Sequence, residues 1–257
     1  MSLSDDQLDR YARHIVLKEI GGGGQKALLE ATIAIVGVGG VGCPAIQCLA
    51  AAGVGRLRLL DEDVVSLDNL QRQVLFGSGD VGRAKVDVAA DAVRRLNSDV
   101  IVESRRMRID RSKVDAALGG VDLVVDGCDN FATRLLVSDF CTAARIPLVS
   151  AAVGQFQVQV GTWRGWEPGR PCYRCFVGDA FDAEDCDTCA ELGVLGATTG
   201  IAGSWAALEA VRQIVGFGED AAGKIHVFDG LAPGLRTMRI AKDPGCRTCG
   251  ALGAQPK

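Results

Sequence analysis

The chain has 257 residues, 48% hydrophobic and 23% charged, with a mean hydropathy of +0.18 and a net charge of -4. Such a length and composition suit one large domain with a sizeable core and exclude a disordered chain. The acidic balance excludes bulk binding to nucleic acid or to an anionic membrane, and no apolar run is long enough to cross a bilayer.

The N-terminus is acidic and carries no secretory leader, so the chain is expected to be cytoplasmic. Ser4-Asp-Asp-Gln7 reads as a capping box opening a helix toward Ile20, which Gly21 to Gly24 are expected to end. A strand over Thr32 to Val36 feeds a glycine turn, Gly37-Val-Gly39-Gly40-Val-Gly42, and a helix follows to Ala52. Leu57 to Leu60 reads as a second buried strand ending at Asp61, residues 82–96 as a helix, and Val100 to Glu103 as a short strand. Val121 to Val125 reads as a strand ending at Asp126-Gly-Cys-Asp129-Asn130, with a helix from about Phe131 and a strand from Pro147 to Ala152. Strands and helices alternating at this spacing predict a mostly parallel, doubly wound, Rossmann-like α/β sheet, which binds ligands beyond the carboxyl ends of its strands.

Beyond Gly154 the pattern changes. Phe156, Val158 and Val160 alternate with Gln155, Gln157 and Gln159, which predicts a half-exposed antiparallel strand. A loop over 177–191, a helix over 200–215 and two strands near 225–228 and 235–240 complete an antiparallel C-terminal extension. The organisation is one domain over 1–257, with a helical segment at 1–30, a nucleotide-binding part at 31–152 and an antiparallel part at 153–257.

The chemistry lies at the strand ends. The glycines let backbone N–H groups and a helix N-terminus approach a phosphate, and Asp61 falls about twenty residues on, where a carboxylate accepts from ribose hydroxyls. An NAD-dependent oxidoreductase would show both features. The run Asp68-Asn-Leu-Gln-Arg72-Gln73 tips the reading toward a triphosphate, because a nicotinamide needs an apolar slot and this segment offers polar and cationic groups. Arg72 supplies a planar fork for phosphate oxygens, Lys85 a point charge, and Asp129 a hard oxygen ligand for Mg²⁺. Taken singly, Arg72 and Lys85 also read as solvated charges and Asp129 as a helix N-cap.

Ten cysteines in such a chain read as metal ligands or reactive thiols before disulfides. Cys172-Tyr-Arg-Cys175 and Cys246-Arg-Thr-Cys249 together predict a closed, structural Cys₄ zinc site, with a redox pair as the weaker alternative. Cys43, Cys48, Cys128 and Cys141 read as small core residues.

These motifs, with Arg10-Tyr-Ala-Arg13-His14 and Gly82-Arg-Ala-Lys85, resemble the MoeB/ThiF family of adenylating enzymes, relatives of the ubiquitin-activating enzymes, from about Leu8 to Gly250. The resemblance implies ATP-dependent adenylation of the C-terminal glycine of a ubiquitin-like sulfur carrier with a diglycine tail, docked on the 153–257 part, with Mg²⁺ and structural Zn²⁺. It implies nucleotide contacts at Gly37, Gly39, Gly40, Gly42, Asp61, Asp68, Asn69, Leu70, Gln71, Arg72, Lys85, Asp129 and Asn130. Arg13 resembles an arginine that reaches the neighbouring subunit's nucleotide, which implies a homodimer; its bland reading is a surface charge. Cys189 matches a loop cysteine able to carry the acyl group, although the acids around it disfavour a thiolate. Nearby Cys186 reads as a disulfide partner or an adventitious metal ligand. Sulfur is expected from a separate donor, a cysteine desulfurase or a rhodanese, for molybdopterin synthesis first and thiamine synthesis second. A zinc-stabilised module that binds the carrier without catalysis is the remaining alternative.

Overall fold

The computed structural model describes residues 3–179 and 193–252. Ser4 caps α1 (Asp5–Arg10): its hydroxyl accepts from the Gln7 N–H while the Gln7 side chain accepts from the Ser4 N–H. The helix expected to reach Ile20 breaks at Tyr11 and resumes for one turn in α2 (Ala12–Ile15). Gly21 to Gly24 then open α3 (Gly21–Glu30) where they were expected to end a helix. Packing decides both differences. The Tyr11 ring is buried, and its hydroxyl accepts from Asn97 Nδ2 at 2.8 Å. A Cβ at Gly24 would stand 2.7 Å from Val215 Cγ1, so the missing side chain lets α3 lie against the long C-terminal helix.

The described strands are β1 (Thr32–Val36), β2 (Arg56–Asp61), β3 (Ile101–Arg106), β4 (Leu123–Asp126), β5 (Leu148–Gly154), β6 (Gln157–Trp163), β7 (Lys224–Asp229) and β8 (Gly234–Arg239). They form one sheet in the order β3-β2-β1-β4-β5-β6-β7-β8. The first five pair in parallel and the last three join antiparallel, so a single sheet runs through both parts of the chain. Strand β4 is buried along its whole length and β1 at every position but the first, as continuous apolar strands covered on both faces must be. Edge strand β3 runs three residues past its expected end, because its polar residues pair with β2 as far as Asp61. Hydrophobicity carries no trace of that pairing.

The helices continue with α4 (Gly42–Ala51), α5 (Lys85–Leu96), α6 (Val114–Leu118), α7 (Phe131–Ala144), α8 (Tyr173–Val177) and α9 (Gly196–Val215). One core layer joins α3, α4, α5 and α9 to the sheet through Leu28, Ile46, Val86 and Ala202. The other joins α6, α7 and α8 to its opposite face through Leu118, Leu135 and Tyr173. In β6, Val158 and Val160 are fully buried beneath α9, whereas Phe156 falls in a turn before the strand and is exposed. Cys43 and Cys141 are core residues as expected, but Cys48 faces outward from α4 and Cys128 sits at a strand end.

Candidate active site

Gly37 leaves β1 with φ +87, a conformation open to glycine, and a Cβ there would press to 3.0 Å on the Cys128 backbone nitrogen. The ends of β1 and β4 can approach so closely only because this position is bare. Asp61, at the end of β2, accepts from the Val38 N–H at 2.7 Å and from the Asp63 N–H at 2.9 Å. Its carboxylate thereby ties the glycine turn to the next strand end. Gly42 begins α4, and a Cβ there would collide with the Gly37 carbonyl, so this glycine shapes the turn from behind.

The turn opens on a cavity of about 790 Å³ beyond the carboxyl ends of the parallel strands. Gly37, Gly39, Gly40, Asp61, Arg72, Lys85, Asp129 and Asn130 all line it. Lys85, the first residue of α5, is 5% exposed, and its Nζ donates to Asp63 Oδ2 at 2.9 Å. Arg72 donates to the Asp68 carbonyl at 3.0 Å. Asp68, Asn69, Leu70 and Gln71 are outside the lining; they build the short helical turn that carries Arg72, whose N–H donates to the Asn69 carbonyl.

Asp129 and Asn130 divide the work at the end of β4. Asn130 is the N-cap of α7, its Oδ1 accepting from the Thr133 N–H at 2.9 Å. The Asp129 carboxylate is exposed, and no hydrogen bond or ion pair engages it among the described residues. This carboxylate lines the same cavity as two cations and the glycine turn, and its hard oxygens suit a divalent cation. The histidines, His14 and His226, lie outside the cavity, bonded to Gln25 and Thr237.

Arg13 is exposed on α2 at the far end of the same layer. His14 there meets Gln25, which in turn donates to the carbonyl of Ala52, the C-cap of α4. The glycine turn is at the opposite end of α4, a helix of 10 residues and thus about 15 Å long. Cys186 and Cys189 lie outside the described residues.

Sequence reasoning missed a buried ion pair on the cavity floor. Arg134 lines the cavity and is 5% exposed; its Nη1 lies 3.5 Å from Oδ2 of fully buried Asp126, and its Nη2 donates to the Ala151 carbonyl at 2.7 Å. Burial works against the Arg134 charge, and Asp126 more than offsets it. Asp126 also accepts from the Cys128 N–H and thiol, so the pair braces the turn that presents Asp129. Burial, reinforced by the charge of Asp126, pushes the Cys128 thiol well up. The available signal was spacing: Arg134 follows Asn130 by one helical turn. Gln157, Gln159, Tyr173 and Phe176 also line the cavity. Nothing in their local patterns marks them as site residues.

The four paired cysteines converge. Their Sγ atoms all lie within 4.8 Å of one another, with Cys172–Cys246 at 3.6 Å, Cys175–Cys249 at 3.3 Å and Cys172–Cys175 at 4.0 Å. Thiolates tetrahedrally bound to zinc at about 2.3 Å lie about 3.8 Å apart, so this donor set fits the ion. The hydrogen bond with Cys172 pulls the Cys175 thiol down, and the Asp243 N–H reaches the same sulfur at 3.5 Å. Helix α8 starts within the first cysteine pair, with Cys172 as its N-cap, and brings Tyr173, Phe176 and Val177 to the cavity wall, so the cluster buttresses the site from behind.

A family model described as the ThiF family matches residues 11–248. The SAMP-activating enzyme E1 of Haloferax volcanii is 43% identical over 253 residues, covering 98% of this chain and 93% of that protein. The molybdopterin-synthase adenylyltransferase of Escherichia coli is 41% identical over 248 residues, covering 96% of this chain and 98% of that protein. Among solved structures, Escherichia coli MccB with MccA-N7isoASN shares the fold, with a TM-score of 0.83 at 22% identity over 96% of this chain and 75% of that one.

Proposed function

This chain belongs to the ThiF family, and from that premise we propose that it is an ATP-dependent adenylyltransferase acting on the C-terminal carboxylate of a ubiquitin-like sulfur carrier. The observation that carries the reading is the convergence of the glycine turn, Arg72, Lys85 and Asp129 on one cavity at the strand ends. A nicotinamide would need an apolar surface beside the turn, where these charges stand. The relatives named for molybdopterin synthase support that pathway as the first choice, with thiamine synthesis as the second candidate of this proposal.

The chemistry is one displacement. A carboxylate oxygen of the carrier attacks the α-phosphorus of ATP, the bond to the bridging oxygen breaks, and its electron pair leaves with pyrophosphate. The attacking carboxylate is already ionised at neutral pH, so no general base is required, in keeping with histidines remote from the cavity. The glycine turn and the start of α4 hold phosphate oxygens through N–H groups, and Asp61 faces the ribose. Arg72 and Lys85 neutralise charge that builds on the α-phosphate and the leaving group, and a preorganised, partly buried cation does so more effectively than one in water. Asp129 would hold Mg²⁺, which would supply further charge neutralisation at the phosphates. Cys172, Cys175, Cys246 and Cys249 would hold Zn²⁺ as a structural clip.

Arg13 fits a role in a neighbouring subunit, since it is exposed and a full helix length from its own glycine turn. A homodimer with composite sites is therefore part of the proposal, as is a separate sulfur donor. Carrier-dependent ATP–pyrophosphate exchange tests the function. Exchange with one diglycine-tailed carrier establishes adenylation and names the pathway, and none with any carrier from metal-loaded protein overturns it.

A further inference from the structure

Phosphate binding needs the glycine turn and Arg72 at one spacing, yet they belong to different segments of the chain. Helix α9 touches both. Gly196, Thr199 and Gly203 are three or four residues apart along it and so fall on one face. A Cβ at Gly196 would collide with the Gln71 carbonyl, next to Arg72, and one at Gly203 would collide with the carbonyl of Val41 in the glycine turn. Two bare positions thus bring the backbone of the helix against both segments.

Thr199 stands between them, buried and lining the cavity. Its hydroxyl donates to the carbonyl of Gly196 at 2.7 Å and reaches the carbonyl of Arg72 at 3.3 Å. Its methyl group meets the glycine turn: a Cβ built on Gly40 would stand 3.0 Å from Thr199 Cγ2 and 3.5 Å from Arg72 Cγ. Gly40, the Arg72 stem and Thr199 therefore converge on one point. Among the described residues the Arg72 guanidinium is bonded only within its own turn, to the Asp68 carbonyl, so it sits wherever that turn is held. The neighbouring Thr198 is as deeply buried, but its hydroxyl bonds the Leu195 carbonyl and reaches that of Gln155 instead.

A threonine with a packing role alone satisfies its hydroxyl on a carbonyl of its own helix, as Thr199 already does on Gly196. The second acceptor, on Arg72, is a contact that packing does not require. We infer that Thr199 is a positioning residue for the triphosphate site: its hydroxyl ties the Arg72 turn to the first turn of α9 and so sets the distance between the guanidinium and the glycine turn. This role deepens the adenylation reading and rests on it for the identity of the ligand.

The test is a double-mutant cycle of wild type, Thr199→Val, Arg72→Gln and the double variant, each titrated calorimetrically with a non-hydrolysable ATP analogue and unfolded in urea. Valine keeps the shape and removes the hydroxyl. Thr199→Val should weaken analogue binding about fivefold, as one modest hydrogen bond would give, and should weaken it no further once Arg72 is gone. Thr199→Ser, which keeps the hydroxyl, should bind within about twofold of wild type. Thr198→Val, losing an equally buried hydroxyl, should match the stability loss of Thr199→Val and leave binding unchanged. In exchange assays Thr199→Val should raise the ATP KM with the carrier KM unchanged. Equal weakening with and without Arg72, serine as weak as valine, or valine without effect overturns the assignment. Should Thr199→Val fail to fold, Thr199→Ala carries the same cycle. Because binding is read without carrier or turnover, the expected cycle in the absence of any exchange would sink the adenylation reading alone, and exchange with an additive cycle would sink only the role of Thr199.

Discussion

Replacing Lys85 with methionine separates a functional cation from a structural one. The ammonium is 5% exposed and has a single carboxylate partner, Asp63, at 2.9 Å, whose side chain is itself 61% exposed. Removing the lysine leaves Asp63 able to return to water, so the lost ion pair is worth at most about 1 kcal/mol. Against this, methionine fills a comparable volume and removes the desolvation cost of a buried ammonium. Stability should therefore change by less than about 1 kcal/mol in either direction. Catalysis should not be spared. Loss of one preorganised charge aimed at the transition state costs roughly 2.7–4 kcal/mol, or about 10² to 10³ in kcat. The assays are urea unfolding and carrier-dependent pyrophosphate exchange on the same preparation. Exchange retained within about threefold would refute the catalytic role, and destabilisation beyond about 3 kcal/mol would mean that the lysine holds the fold.

The neighbours Asp129 and Asn130 should part company in the same pair of assays. Asp129→Asn should lower exchange by at least about 100-fold with unchanged unfolding, whereas Asn130→Ala, losing the cap to the Thr133 N–H, should cost about 1 kcal/mol of stability. Elemental analysis should find one zinc per chain, and Cys172→Ser should lower both metal content and melting temperature; a metal-free wild type of equal stability would refute the cluster. Because burial and Asp126 raise the Cys128 pKa, that thiol stays protonated at pH 8 and should alkylate with iodoacetamide far more slowly than exposed Cys48, as peptide mapping would show. Rapid labelling of Cys128 would contradict its raised pKa. Cys189→Ala should leave pyrophosphate exchange intact and slow only a later sulfur-transfer step; loss of exchange would reverse that order.

The sequence carried the sheet legibly wherever one side chain or a short run answers to one backbone requirement. The apolar runs of β1, β2, β4 and β5 announce strands buried on both faces, and Ser4 and Gln7 announce a helix start. Gly21 to Gly24 misled because glycine signals only freedom, and the use of that freedom was settled by Val215, nearly two hundred residues away. Strand β3 ran past its apolar segment because backbone pairing with β2 continued there.

By itself the sequence marked a glycine turn, two acids and two cations: the turn and Asp61 at strand ends, Asp129 just beyond one, Lys85 at a helix start and Arg72 after a short helical turn. It also determined the paired cysteines, whose spacing fixes two sulfurs on one turn. Only the tertiary structure decided which of these groups face the same space. Asp68 to Gln71 turned out to support Arg72 from behind, and the cap fell to Asn130, which left Asp129 open to the cavity. The Asp126–Arg134 pair and the Gln157 and Gln159 wall were invisible for the same reason. Their neighbours come from other elements, and the burial that gives the Asp126–Arg134 charges their meaning exists only once the sheet has closed over them.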